Sequence, residues 1–229
     1  MPATPHLLTI IASTRSHRRG EPVARWLAEL ASARGDITHE LIDLASFDLP
    51  LLSAATPPMS PSAREDVARG WARTIAAADG YMVVVPEYNH GYPAALKNAL
   101  DHLFHEWGRK PIGFVSYGGL SGGVRAVEQL RQVAVELAMV PVRSQVAIPR
   151  IWSALNDDGE LREPPLQAAH ALLDEMVWWA AGLHALRAPD EAAAAAVPDP
   201  GPGPDPAADA LGRSIAAAAT GAVAGERDA

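Results

Sequence analysis

Three short segments of this chain carry residue types able to do chemistry. Ser13-Thr14-Arg15-Ser16-His17-Arg18-Arg19-Gly20 lies between an apolar run and a run with helical spacing. A helix N-terminus offers free backbone N–H groups and the positive end of the helix dipole. Hydroxyl and guanidinium donors beside it suit a phosphate dianion, so Ser13, Arg15, Ser16, Arg18 and Gly20 are candidate binding residues. The loop contains neither Gly-x-Gly-x-x-Gly nor Gly-x-x-x-x-Gly-Lys, which weakens dinucleotide-fold and P-loop readings. Alone, it also reads as an exposed, solvated basic loop.

The second segment, Pro86-Glu87-Tyr88-Asn89-His90-Gly91-Tyr92-Pro93, follows the apolar run 81–85 and precedes a helix that begins near Pro93. The third, Ser116-Tyr117-Gly118-Gly119-Leu120-Ser121-Gly122-Gly123, again sits between an apolar run and a helical one. Glycine there permits close backbone approach to a planar ligand; the plain alternative is a turn that needs positive φ. Gly119 to Gly123 also match Gly-x-Ser-x-Gly, the nucleophile elbow of serine hydrolases. That reading is the lesser one. Three residues separate Tyr117 from Ser121, whereas the elbow follows its strand directly. Asp157, Asp158 or Asp174 with His170 or His184 would have to complete a triad, and both histidines fall on the last helix.

The elements that position these loops alternate along the chain. Strands are expected at 7–12, 37–44, 81–85, 112–117 and, more briefly, 142–148. Helices are expected at 21–33, from Ser62 (N-cap, with Glu65 at the capping-box position) to about Ala78, at 93–104, at 124–139, and from Pro164-Pro165 to about Leu186. Alternation of this kind implies an α/β protein, a five-stranded parallel sheet with helices on both faces. Ligands of open α/β sheets bind outside the carboxyl ends of the strands, which is where all three loops fall.

The string Pro86-Glu87-Tyr88-Asn89-x-Gly91-x-Pro93-x-x-Leu96-Lys97-Asn98-x-x-Asp101 resembles the NADPH-dependent FMN reductase family. The first loop is similar to that family's Gly-Ser-x-Arg loop, with Ala12 standing where the family usually has Gly. The third loop resembles the family too, and the likeness covers roughly residues 5–150. It implies a flavodoxin-like three-layer sandwich of strand order 2-1-3-4-5, with the switch point between the first and third strands. By the same resemblance the first loop holds the phosphate of a bound FMN. Pro86, Glu87, Tyr88 and Asn89 contact the isoalloxazine ring, and Ser116, Tyr117, Gly118 and Gly119 wall its other side. Lys97 and Asn98 are expected to brace the loop before them.

The activity so implied is hydride transfer from NADPH, or NADH, to flavin N5. Two electrons then pass to a small-molecule acceptor: a free flavin, a quinone, an azo or nitro compound, or a metal oxyanion. The cofactor carries the hard step, so no protein acid or base is obligatory, and ping-pong kinetics follow. The family's habits also imply a homodimer or homotetramer, with the segment 96–107 as one contact, and a flavin-dependent monooxygenase as one partner. A flavodoxin-like electron carrier is the rival outside enzymes; the Ser-x-Arg loop and the basic Arg15, Arg18 and Arg19 argue against it.

Bulk properties agree. The 229 residues carry a formal net charge of −8 and no cysteine. Nucleic-acid binders usually present a basic face, and none is legible here. Without cysteine there are no disulfides, thiolate chemistry or iron–sulfur clusters. The first apolar run is too short for a signal peptide, and no run reaches membrane-spanning length, so a soluble cytoplasmic protein is expected. Residues 1–187 read as the FMN-binding domain and 188–229, rich in Ala, Pro and Gly, as a flexible tail. His102 and His105 share a helix face but lack a third metal ligand. Trp107 and Trp152 follow loops, so one of them is a candidate for the site's border. Arg125 and Arg150 are candidates for a dinucleotide phosphate or for surface ion pairs.

Overall fold

The structure, a computed structural model, describes residues 4–53, 57–59 and 66–195. In chain order the elements are β1 (His6–Ile11), α1 (Gly20–Ser32), β2 (Thr38–Asp43), α2 (Asp66–Ala76), β3 (Gly80–Pro86), α3 (Ala94–Asp101), β4 (Pro111–Tyr117), α4 (Val124–Glu136), β5 (Val140–Ile148), the short α5 (Ile151–Ala154) and α6 (Leu166–Ala195). The strands form one sheet of order β2-β1-β3-β4-β5, parallel throughout. This is the 2-1-3-4-5 flavodoxin-like order.

Every residue of β3 and β4 is buried, as expected for central parallel strands covered on both faces. Alternate residues divide between two cores. Leu8, Ile10, Tyr81, Val83 and Phe114 pack with Trp71 of α2, Leu96 of α3 and Leu130 of α4. Leu7, Ile11, Met82, Val84 and Val115 pack with Val23 and Leu27 of α1 and Leu172 and Met176 of α6. Edge-to-face ring contacts link Phe47, Trp71, Trp107 and Tyr81 within the first core.

Several boundaries differ from the sequence expectation. β5 begins at Val140 because Val140 N–H donates to Lys110 O and Pro111 pairs with it. Pro141 is tolerated because β5 is an edge strand. α4 stops at Glu136: Ala138 takes the left-handed region at φ 55, and its carbonyl accepts from Arg109 N–H. α3 ends at Asp101. Leu100, Leu103 and Trp107, expected at a subunit contact, are buried in the chain's own core. α6 continues to Ala195. Ser62, Glu65 and the rest of the expected tail lie outside the described residues. Met1–Ala192 group as one compact unit. No helix among the described residues is long and apolar enough to cross a membrane.

Candidate functional site

The strand registers bring the loops after β1, β3, β4 and β5 to one end of the sheet. Ile11 aligns with Val84, Pro86 with Tyr117, and Tyr117 with Ile148. Ala12 lies at that end fully buried in the core, its N–H donating to Val84 O, so the methyl group is absorbed by packing.

In the first loop Ser13 is buried and its Oγ shares a 2.7 Å hydrogen bond with Tyr88 Oη. Arg18 ties this loop together: Nη1 donates to Ser13 O at 3.2 Å, and Nη2 pairs with Asp43 at the end of β2 and with Glu21 in α1. Its Nε is buried and has no hydrogen-bond acceptor among the described residues. Arg15 places its guanidinium 5.6 Å from the centre of the Tyr88 ring. At Gly20 a Cβ would come within 2.5 Å of Tyr117 Oη. Glycine is needed there because the Tyr117 ring occupies the start of α1.

The second loop is a two-residue hairpin turn. Tyr88 N–H donates to Gly91 O at 2.8 Å and Gly91 N–H returns to Tyr88 O at 3.0 Å. Both central residues have positive φ, 50 at Asn89 and 70 at His90, as a type I′ turn requires. Glu87 N–H donates to Tyr117 O, so the backbone donors of Glu87 and Tyr88 are engaged inside the protein. No group among the described residues accepts from the N–H of Asn89. The Glu87 side chain, 6% exposed, accepts from Arg125 Nε at 2.7 Å and from Ser121 Oγ at 2.9 Å. Burial pushes its carboxyl up; the hydrogen bonds from Arg125 and Ser121 and the Arg125 charge outweigh that and hold it below its ordinary value.

In the third loop Ser116 Oγ donates to Gly122 O at 2.8 Å and braces the turn. Gly123, at φ 88, would bring a Cβ within 2.8 Å of Ser116 Cβ. Tyr117 is 5% exposed. Burial raises its hydroxyl pKa well above normal, as does Tyr88, against hydrogen bonding from Ser13 and Gly20 N–H and the Arg18 charge.

A cleft of about 590 Å³ joins the three loops. Nine candidate residues line it: Arg15, Arg18, Pro86, Glu87, Tyr88, Asn89, Tyr117, Gly118 and Gly119. Ser13, Gly20 and Ser116 stand behind its wall as braces, and Ser16 is exposed in the first loop. His17, Arg19, Ile151 and Trp152 also line it. His17 and Arg19 share the loop already singled out. Ile151 and Trp152 open α5, after β5; Trp152 is the tryptophan singled out for following a loop, whereas only the strand-end rule points to Ile151. Of the two tryptophans considered for the border, Trp152 lines the cleft while Trp107 is buried, its Nε1 donating to Leu100 O.

Other candidates resolve plainly. Asn98 braces the segment 49–52 rather than the loop before it, through Leu49 O, Pro50 O and Leu52 N–H; Lys97 pairs with Asp101. His102 is buried against Pro50 O, and the described residues hold no cluster suited to a metal ion. Arg125 pairs with Glu87. Ser121 is bonded to Glu87 and Arg125, and His184 to Asp79 at the opposite end of the sheet, so no triad assembles there. Four of the six non-glycine residues with positive φ, His17, Asn89, His90 and Arg150, belong to the loops around the cleft. Such backbone positions cluster at functional sites.

Known proteins resemble this chain in sequence and in fold. Residues 5–153 match the family described as NADPH-dependent FMN reductase. An NAD(P)H-dependent FMN reductase of Schizosaccharomyces pombe is 42% identical over 154 residues, 64% of this chain and 75% of that one. A 2-hydroxy-1,4-benzoquinone reductase of a Burkholderia species is 34% identical over 118 residues, 52% of this chain and 57% of that one. Among solved structures, the flavoenzyme NAD(P)H:(acceptor) oxidoreductase of Paracoccus denitrificans superposes with a TM-score of 0.61 at 20% identity, covering 77% of this chain and 97% of that one; it shares the fold. With well over half its length matched, this chain belongs to the NADPH-dependent FMN reductase family and is an NAD(P)H-dependent oxidoreductase that works through FMN.

Proposed function

We propose that the cleft at the β1/β3 switch point is the FMN site, with the phosphate against the first loop and the ring between the second and third. One observation carries this reading: three separate loops converge on a single cleft of about 590 Å³. Small-molecule sites span roughly 300–1,000 Å³. The lining fits the group. Arg15, Arg18 and Arg19 gather positive charge in a chain of net charge −8. Arg18 Nε is a buried donor awaiting an acceptor. Asn89 N–H, in the tight turn, suits the pyrimidine edge of the ring.

When bound, FMN supplies the two-electron chemistry that connects NAD(P)H to an acceptor. The residues supply the rest. Arg15 and Arg19 neutralise the phosphate, and Arg18 fixes the loop in shape by its bonds to Ser13, Glu21 and Asp43. The Glu87–Arg125–Ser121 network locks the second loop to the third, so the walls keep a constant spacing. Preorganised walls of this kind are the protein's share of such catalysis.

The acceptor in this reading is a small molecule, a quinone, a free flavin or an azo compound, with NADPH the first reductant to test and NADH the second. A flavin-dependent monooxygenase is a further candidate recipient of electrons, and a cytoplasmic homodimer or homotetramer the expected form. Residues 1–187 are proposed as the catalytic domain and 188–229 as a tail outside it. Replacing both Arg15 and Arg19 by Ala tests the phosphate assignment. Each lost charge-assisted hydrogen bond weakens FMN binding about tenfold to a hundredfold. An FMN dissociation constant unchanged in the double variant refutes it.

A further inference from the structure

Trp152 lines the cleft and is 68% exposed, and Leu120, the next residue along the third loop after Gly119, is 82% exposed. An exposed indole that lines a cleft is available to stack against a planar ligand. The backbone on either side of Trp152 is tied to the third loop. Arg150 N–H donates to Gly119 O at 2.7 Å and Ile151 N–H to Gly118 O at 3.0 Å, while the Ile151 side chain is buried in the core. Arg150 is kept at φ 49 to make this turn. The backbone that carries the indole therefore keeps a fixed relation to the Gly118–Gly119 wall. A Cβ at Gly119 would lie 3.9 Å from the indole ring, an ordinary contact. A larger side chain there would reach toward the ring; glycine leaves that approach open.

We infer that Trp152 is the stacking platform for the electron acceptor, and that it selects planar fused-ring acceptors such as a naphthoquinone or the isoalloxazine of a free flavin. This rests on the cleft being the flavin site. Aromatic rings stack favourably in offset geometry, and an indole offers the widest face of any side chain. An exposed indole, with Leu120 also exposed on the third loop, suits a neutral ring system. In the net reaction NADPH, one proton and a quinone give NADP⁺ and the hydroquinone, whose two oxygens take up two protons with the two electrons. The indole gains and loses no electrons. It is a specificity-determining residue.

The test uses the FMN-loaded full chain with Trp152→Ala and Trp152→Phe. Four quantities are measured: KM for 2-methyl-1,4-naphthoquinone, KM for ferricyanide, the anaerobic rate of flavin reduction by NADPH, and the dissociation constant of the naphthoquinone from the oxidised holoenzyme. Trp152→Ala is expected to raise both naphthoquinone constants about tenfold. The naphthoquinone constants are expected to change more than the ferricyanide KM, the rate of flavin reduction by NADPH or FMN retention, and Trp152→Phe recovers most of the loss. Unchanged naphthoquinone constants in Trp152→Ala overturn the inference. So does an equal change for ferricyanide, or a main effect on FMN retention or on reduction by NADPH. If the wild type neither holds FMN nor is reduced by NADPH, the flavin-site reading fails and takes this inference with it. If it does both and only the naphthoquinone constants stay put, the stacking role alone is wrong.

Discussion

At Glu87, burial and hydrogen bonding pull the carboxyl pKa in opposite directions, and the bonds from Arg125 and Ser121 prevail. Because the folded value lies below the ordinary one, the ionised pair stabilises the fold above the normal glutamate pKa. That contribution is lost as pH falls through the depressed folded value. Arg125→Met leaves the enclosed carboxylate without its main partner. Arg125 itself is half exposed, which limits the expected cost to about 1–2 kcal/mol at neutral pH. The stability gap between wild type and variant should narrow as pH drops below the glutamate range, where Glu87 is protonated in both. Thermal unfolding at several pH values checks this, and a gap independent of pH speaks against the network as described.

The elements carry a sharper constraint at the meeting of α1 and β4. Gly20→Ala forces a Cβ against Tyr117 Oη at 2.5 Å and against its ring at 3.0 Å. Overpacking of this kind costs about 1–3 kcal/mol. In a Tyr117→Phe background the penalty should be smaller, because the closest atom is gone; a double-mutant cycle read by denaturant unfolding measures the difference. The same junction illustrates what was legible in advance. The strands stood out because β3 and β4, buried on both faces, are nearly unbroken apolar runs. The three loops stood out because their residue types are local. The ties between loops did not. Arg18 to Asp43 spans 25 residues and Arg125 to Glu87 spans 38, and either arginine reads equally well as a surface charge. The fates of Trp107 and Trp152 were likewise beyond local pattern, since both follow loops and only the packed sheet decides which one is buried. The end of α4 depends on Ala138 meeting Arg109 across the fold, a contact that periodicity does not encode.

For the molecule as a whole, sheet order, the convergence of the loops and family membership describe one object: a flavodoxin-like scaffold whose carboxyl end presents a cationic cleft on an otherwise acidic chain. Opposite charge at the mouth favours anionic ligands, the phosphate of FMN and those of the nicotinamide dinucleotide. The scaffold holds the walls rigid and leaves the redox chemistry to the bound group. The central claim is that this cleft holds an FMN that a nicotinamide dinucleotide reduces. The most direct measurement is the visible spectrum of the purified protein, loaded with FMN if necessary, before and after anaerobic addition of NADPH. The account predicts a bound flavin band that bleaches within seconds. A protein that takes up no FMN, or whose bound flavin neither NADPH nor NADH bleaches, contradicts it.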